Sequence, residues 1–188
     1  MNIPAGPEKK RISPHLQGVI LILLAVGLLW AGQHFDMTAQ QAHHRLLVST
    51  AKARGDVFEK SVVFVMHHLK SGATGIVLNK SSGGPVGADK FFTLHTPEAA
   101  TPETVELKDL GVALTEGRVT GKKLLAQVPP PAWHVTVQGY AGWSGRQLDL
   151  EIDQGEWRII PFDKDIVRLK GQAMWDAADK LADAKDKK

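Results

Sequence analysis

Few side chains of this sequence could take part in catalysis. His95 follows a short apolar run and could act as a general base, with Asp89 or Asn79 to orient its ring. The absence of cysteine excludes a thiol nucleophile, disulfides and Cys-ligated metal centres. Ser82 and Ser144 lack the Gly-x-Ser-x-Gly frame of a nucleophile elbow. We therefore expect no catalytic residues, and a His95 that is buried and hydrogen-bonded.

Histidines are the remaining candidates for metal ligands, and they fall into two groups. His34, His43 and His44 form a loosely spaced trio near the start of the chain. His67 and His68 are adjacent, and neighbouring residues of a strand face opposite sides of the sheet, so they do not readily share one site. The sequence therefore predicts no metal site, and no other motif predicts a cofactor.

Composition and glycine spacing argue against the binding of nucleotides or nucleic acids. The run 83–85 is Gly-Gly-Pro without the Lys-Ser/Thr of a phosphate loop, which indicates a sharp turn. The 188 residues are 43% hydrophobic and 23% charged, as in ordinary globular proteins, and the net charge is only +3. The basic residues form no aromatic-interleaved stripe and no helix-turn-helix pattern. We expect no nucleic-acid partner.

Tyr140 and Trp143 are the strongest candidates for contact with a partner. They flank Ala-Gly, and Gly139 permits a bend that would present the aromatic pair. Two uses stay open, packing beneath the sheet or an exposed hot spot. Arg146 and Gln147 add polar groups beside the bend. The predicted partner-binding residues are Trp30, Tyr140, Trp143, Arg146 and Gln147.

Apolar and β-branched runs predict a domain of short strands followed by a helix. The segments that read as strands are 46–50, 58–66, 75–79, 91–95, 111–115, 134–138 and 157–162. The stretch 96–106 is rich in Pro, Thr and Glu and predicts a loop. From residue 172 onward, apolar residues recur at helical spacing, and the last residues alternate Asp and Lys like a solvated tail.

The beginning of the chain predicts a membrane span. No charged residue occurs between Arg11 and Asp36. Residues 16–35 are therefore long enough to cross the roughly 30 Å hydrocarbon core as a helix. Trp30 is placed to anchor one headgroup region. A cleaved signal peptide and a buried helix of a soluble domain are the competing interpretations, and the sequence after the span offers only a poor cleavage site.

The order of several sequence blocks resembles the AlgH/YqgE family. Gly-Tyr-Ala-Gly-Trp followed by Gln-Leu is the most specific of them. The blocks are 58–65, 72–80, 83–86, 92–95, 139–143 with 147–148, and Trp175. The resemblance implies an α+β fold in which a mixed β-sheet is bent into a partial barrel with flanking helices. It implies no reaction, and the family name implies a role in transcriptional regulation.

This sequence also departs from the family pattern. Members usually carry a helical stretch between the Asn-Lys-Pro and Gly-Gly-Pro-Val blocks, but here Gly83 follows Lys80 after only two serines. Arg146 stands where the family has Gly. The chain thus resembles a shortened, membrane-anchored variant. We divide it into a basic arm (1–15), a transmembrane helix (16–35), a linker (36–45), the AlgH-like domain (46–178) and a charged tail (179–188).

The expected function is that of a non-catalytic accessory module in a larger membrane complex. Its partners would be the lipid bilayer, through residues 16–35, and other membrane-protein subunits. Basic residues before the span place the N-terminus in the cytoplasm of a bacterium and the domain in the periplasm, at the inner membrane. Two alternatives stay open: a hydrolase-like enzyme with a cleft at Asn79, Gly84 and His95, and a transcription-related regulator.

Overall fold

The structure is a computed structural model that describes residues 41–53 and 57–186. The predicted basic arm, the predicted span (16–35) with Trp30, and the first half of the predicted linker (36–40) lie outside the described residues. Within the described part of the chain, no helix has both the length and the apolar character that crossing a bilayer requires.

Eight strands form one sheet. In chain order they are β1 (Leu46–Ser49), β2 (Val62–Leu69), β3 (Gly72–Val77), β4 (Val86–His95), β5 (Thr104–Leu107), β6 (Val112–Glu116), β7 (His134–Ser144) and β8 (Trp157–Ile160). Their order across the sheet is β5-β6-β4-β7-β3-β2-β1-β8. All pairings between these strands are antiparallel, and an isolated bridge between Ser82 and Gln138 is parallel. The expected mixed sheet is therefore antiparallel in all of its named strand pairs.

Strand β7 joins the two halves of the sheet and helps to curl it. Its first part, as far as Tyr140, pairs with β4, and its second part, from Ala141, pairs with β3. The pairing with β4 shifts register between Gln138 and Tyr140, and there Gly139 has φ +81°, a conformation that favours glycine. A side chain at Gly139 would lie 2.8 Å from the carbonyl oxygen of Gly84. The expected α+β fold with a curled sheet and flanking helices is thus confirmed.

Helices cover both faces of the half of the sheet that contains β1, β2 and β3. Helix α1 (Arg118–Leu125) packs against β4 and β6 in the other half of the sheet. The helices that cover the half with β1, β2 and β3 are α2 (Gln147–Asp153), α3 (Lys164–Arg168) and α4 (Gly171–Asp186), and short 3-10 turns lie at Pro97–Ala99 and Lys108–Leu110. Helices α3 and α4 pack on one face, where Phe64 and Met174 are buried. Helix α2 packs on the other face, with Val63 and Leu148. Burial on both faces explains why the first five residues of β2, 62–66, are apolar without alternation.

Helix α4 continues beyond the expected domain boundary at residue 178. Ala182 is buried against the sheet, so the helix still packs there. Arg158 on β8 pairs with Asp179 and Asp183 of this helix and lies 3.8 Å from Asp186. The alternating Asp and Lys residues that predicted a solvated tail therefore belong to a packed helix as far as Asp186.

Candidate functional site

The main candidate site is a surface cavity of about 740 Å³ between α2 and the sheet. The end of β7, the start of β8 and the turn at Phe58 supply its other walls. Its volume lies in the range of small-molecule and side-chain binding pockets. We call it the α2 cavity. Its lining residues are Ala53, Phe58, Pro85, Gly142, Trp143, Ser144, Arg146, Gln147, Leu150, Glu151, Gln154, Glu156 and Trp157.

Helical spacing brings side chains of α2, and of the residue that caps its C-terminus, into this cavity. Gln147, Leu150, Glu151 and Gln154 recur at intervals of three and four, which places them on one face of the helix. The turn before the helix is closed by Gly145, at φ +47°. In the sheet, Trp143 lies opposite Ala73 of β3, and this small neighbour leaves room for the indole.

Glu151 is the most firmly held side chain of the cavity. Its Oε2 accepts hydrogen bonds from the indole Nε1 of Trp143 at 2.7 Å and of Trp157 at 2.8 Å. Its Oε1 accepts one from the amide of Gln147 at 2.9 Å. In turn, the side-chain Oε1 of Gln147 accepts a hydrogen bond from the backbone N–H of Ser144 at 3.2 Å. Three neutral donors thus fix a carboxylate at the cavity wall before any ligand arrives.

Three aromatic rings form the apolar wall. Phe58 meets the edge of Trp157 at 5.4 Å between centroids and lies 6.3 Å from Trp143 in a stacked arrangement. The two indoles are 6.1 Å apart and nearly perpendicular. Trp143 and Trp157 are only 5% and 3% exposed, so most of their ring faces are already covered. The rings therefore provide a rigid wall rather than an open aromatic cage.

A buried His–Asp pair lies on the opposite side of α2. His68 Nε2 is 3.2 Å from the Asp149 carboxylate, and both side chains are about 2% exposed. Nδ1 of His68 has no hydrogen-bond partner among the described residues. Burial lowers the pKa of His68, although the neighbouring Asp149 carboxylate opposes this effect. The pair anchors α2 to β2, because Asp149 is on the helix and His68 is on the strand.

Three of the predicted partner-binding residues meet at the α2 cavity: Trp143, Arg146 and Gln147. Tyr140 does not join them. It packs on the edge of Phe92, at 6.2 Å, and lines a second cavity of about 410 Å³ on the other face of the sheet. Residues three apart on a strand point to opposite sides of the sheet, so Tyr140 and Trp143 lie on different faces. The bend predicted at Gly139 would have presented them together.

The residues of the alternative enzyme cleft serve separate structural purposes. His95 is fully buried; its Nδ1 contacts the Thr96 carbonyl oxygen at 2.8 Å and its Nε2 contacts Thr115 Oγ1 at 2.9 Å. Burial lowers the pKa of His95. This buried, hydrogen-bonded histidine agrees with the expectation from the sequence.

Asn79 and Gly84 also have structural roles: the Asn79 side chain forms hydrogen bonds with backbone groups, and Gly84 packs closely against the backbone of a neighbouring strand. The Asn79 amide accepts from the Val62 N–H at 2.9 Å and donates to the carbonyl oxygens of Lys60 and Gly171 at 2.8 and 3.3 Å. Gly84 lies so close to Tyr140 that a Cβ would be 2.2 Å from its carbonyl carbon. Asn79, Gly84 and His95 therefore do not converge on one cleft.

The histidines near the start of the domain form a loose stack. The ring centroids of His43 and His44 are 3.8 Å apart, and those of His43 and His67 are 6.2 Å apart. Burial, followed by the neighbouring histidines, lowers the pKa of His43 and His44. Within residues 41–53 and 57–186, no group of three or more His, Asp or Glu side chains is arranged to hold a metal ion.

Sequence reasoning missed Phe58, Trp157 and Glu151 as parts of this site. Phe58 and Trp157 come from distant parts of the chain and meet only in the folded sheet. Glu151 did leave a signal, because it follows Gln147 at i+4, the spacing at which helical side chains touch.

The protein is of the α+β class: a curled antiparallel sheet carries helices on both faces, and a cavity lies beside α2. The AlgH-like family profile matches residues 46–185, and the chain belongs to this family. The resemblance seen in the sequence is thereby confirmed at the level of the family.

Relatives and solved structures agree with this assignment. The chain is 29% identical to a UPF0301 protein of Methylococcus capsulatus, over 71% of this chain and 84% of that protein. It is 26% identical to a UPF0301 protein of Idiomarina loihiensis, over 70% and 84%. The AlgH protein of Pseudomonas aeruginosa has a similar fold, with a TM-score of 0.63, 23% identity, and coverage of 74% of this chain and 88% of that chain.

Proposed function

We propose that this protein is a non-catalytic, membrane-anchored AlgH-like module that binds other subunits of a membrane complex through the α2 cavity. The observation that supports this proposal best is the meeting of Trp143, Arg146 and Gln147 at one preformed cavity. Binding needs such a surface, with fixed polar groups and a rigid apolar wall, and needs no proton transfer.

The anchor is part of the proposal and derives from the sequence. Residues 16–35 would hold the chain in the inner membrane of a bacterium, with the N-terminus in the cytoplasm and the domain in the periplasm. A tethered domain meets other membrane subunits at a raised effective concentration, so weak contacts suffice for assembly. In this scheme, the short connection between Lys80 and Gly83 belongs to a specialised, shortened variant of the family.

The two alternatives draw no comparable support from the described residues. A hydrolase cleft would require His95 to be accessible, and it is completely buried. A transcriptional regulator is implied by the family name alone, and a domain outside the cytoplasm would not reach DNA.

Purification from native membranes tests the proposal. The full-length chain would carry a C-terminal tag, be expressed at its natural level and be extracted in dodecyl maltoside. We expect membrane subunits to co-purify in stoichiometric amounts. Leu150→Lys, which places a charged side chain at the cavity, should reduce their recovery, while Val119→Lys makes a similar change at an exposed position on α1 and should not. A chain recovered alone at natural abundance would refute the proposal.

A second experiment tests the anchor and its orientation. Alkaline phosphatase fused to the C-terminus is active only when exported, so an active fusion that stays in the membrane fraction is expected. An inactive membrane-bound fusion would refute the periplasmic placement, and an exported fusion free of the membrane would refute the retained anchor.

A further inference from the structure

We infer that the α2 cavity binds a primary ammonium group against Glu151, and that this group belongs to a lysine side chain of the partner protein. The inference rests on the proposed binding function and names the chemistry of its ligand. It depends on the charge of the cavity, on the one hydrogen-bond acceptor site of Glu151 that remains unused, and on the shape of the apolar wall.

The lining of the cavity favours a cation. Among the described residues that line it, Glu151 and Glu156 contribute two carboxylates and Arg146 contributes one guanidinium, a balance of one formal negative charge. Arg146 and Glu156 each make further contacts in the domain. Glu151 makes its contacts with neutral donors, so among the described residues its charge is not balanced by an ion pair. A half-buried carboxylate of this kind gains from a cationic partner.

The remaining acceptor capacity of Glu151 selects the kind of cation. A carboxylate offers about four lone-pair sites, two on each oxygen. The indoles of Trp143 and Trp157 use both sites of Oε2, and Gln147 uses one site of Oε1. A single site on Oε1 remains. It suits the compact ammonium of lysine, while the planar guanidinium of arginine binds carboxylates best through both oxygens at once.

The wall of the cavity favours a primary ammonium on an alkyl stem over a quaternary ammonium. Quaternary ammonium groups are recognised on open aromatic faces, and the faces of Trp143 and Trp157 are mostly covered. Phe58, Pro85 and Leu150 instead offer apolar surface beside the carboxylate, against which a four-carbon stem can pack. Leu150 is 52% exposed, so its side chain is accessible to the alkyl stem of a partner's lysine.

Titration followed by NMR tests the inference directly, because the indole N–H groups that report on Glu151 have their own signals. The full-length, ¹⁵N-labelled chain in dodecyl maltoside would be titrated with N-acetyl-lysine methylamide. We expect saturable shifts of the Trp143 and Trp157 indole signals, with the Trp133 and Trp175 signals unchanged. The norleucine analogue, which has no charge, should bind about tenfold more weakly, the size of effect expected for a hydrogen bond to a charged group.

Two further probes separate the possible ligands. The arginine analogue should bind more weakly than the lysine analogue, and n-butylamine should bind more weakly still, since it lacks the peptide groups. Equal or tighter binding of the arginine or norleucine analogue would overturn the choice of an ammonium ligand. Equal or tighter binding of n-butylamine would overturn the assignment to a protein side chain. No shift of either indole signal at tens of millimolar lysine analogue would overturn the site itself.

Variants complete the test. Glu151→Gln should weaken binding of the lysine analogue about tenfold or more. Leu150→Lys leaves all bonds of Glu151 in place and adds an ammonium at the cavity, so it should weaken binding at least as much. Val119→Lys, at a similarly exposed valine of α1, should leave binding unchanged. Unchanged binding in Leu150→Lys would overturn the inference. The two proposals fail separately, because co-purification tests for partners and the titration tests for the ammonium site.

Discussion

Removal of the Glu151 carboxylate should destabilise the domain far more than its half-exposed position suggests. In Glu151→Ala, the indole N–H groups of Trp143 and Trp157 lose their acceptor while both rings stay buried. A buried donor left without a partner costs about 1–3 kcal/mol, so two such donors cost roughly 2–6 kcal/mol. Because domains are stable by only about 5–15 kcal/mol, this loss would be a large fraction of the total.

Chemical denaturation measures this loss. The full-length chain in dodecyl maltoside would be unfolded with urea and followed by far-ultraviolet circular dichroism. Glu106→Ala serves as the matched control, because Glu106 is an exposed glutamate of the end strand β5. We expect about 3 kcal/mol of destabilisation for Glu151→Ala and less than about 0.5 kcal/mol for the control.

A double-mutant cycle identifies the cause. Trp157→Phe keeps an aromatic ring but removes one of the two indole donors. In that background, Glu151→Ala should cost at least about 1 kcal/mol less than in the natural sequence. A destabilisation below about 1 kcal/mol for Glu151→Ala, or no coupling with Trp157, would refute the reasoning.

Three further predictions concern the rest of the domain. Burial lowers the pKa of His68 and His95 below 6.5, so near that pH the unfolded chain takes up protons that the folded chain does not. The free energy of unfolding should therefore fall as the pH drops below 6.5, by at most about 1.4 kcal/mol per pH unit for each histidine. A urea midpoint that is equal at pH 7.5 and 5.5 would contradict this. Asn79→Ala removes three bonds to the backbone and should cost about 2–3 kcal/mol in the same assay, and a cost below about 0.5 kcal/mol would show that these bonds are dispensable. Gly84→Ala places a Cβ 2.2 Å from a backbone atom and should prevent soluble expression. Gly145 also has a positive φ, +47°, but a Cβ there would meet no atom within 4 Å, so Gly145→Ala should cost only about 1–2 kcal/mol. Equal effects of the two substitutions would contradict the steric argument.

The sequence predicts most of the strands because their apolar residues are buried. The run 62–66 is apolar on both faces of β2, and a run of this kind predicts a covered strand without knowledge of its neighbours. Strand β5 is different. Two of its four residues, Val105 and Glu106, are exposed, and it forms because β6 supplies its hydrogen bonds. No local pattern distinguishes such an end strand from the loop that was expected at 96–106.

Helix α1 was missed for a related reason. Its residues include Val119, Thr120 and Gly121, which are poor helix formers. Gly121 and Leu124 nevertheless pack against the sheet, so the tertiary contact decides the local structure. Local propensity could not have predicted it.

The candidate site was partly predictable. Trp143, Arg146 and Gln147 lie within five residues of one another, so their proximity followed from the sequence alone. The separation of Tyr140 from Trp143 could also have been predicted, had 139–143 been assigned to a strand, because strand residues alternate in direction. The positions of Phe58 and Trp157 required the fold, since they depend on the order of strands across the sheet.

The open sheet has a consequence for the behaviour of the protein at high concentration. An unpaired outer strand can recruit strands from other molecules and start aggregation. Here both outer strands, β5 and β8, have only four residues, and each carries a charge within it, Glu106 and Arg158. Such short, charged margins are poor templates for fibril growth. We therefore expect many copies to be crowded together without polymerising edge to edge.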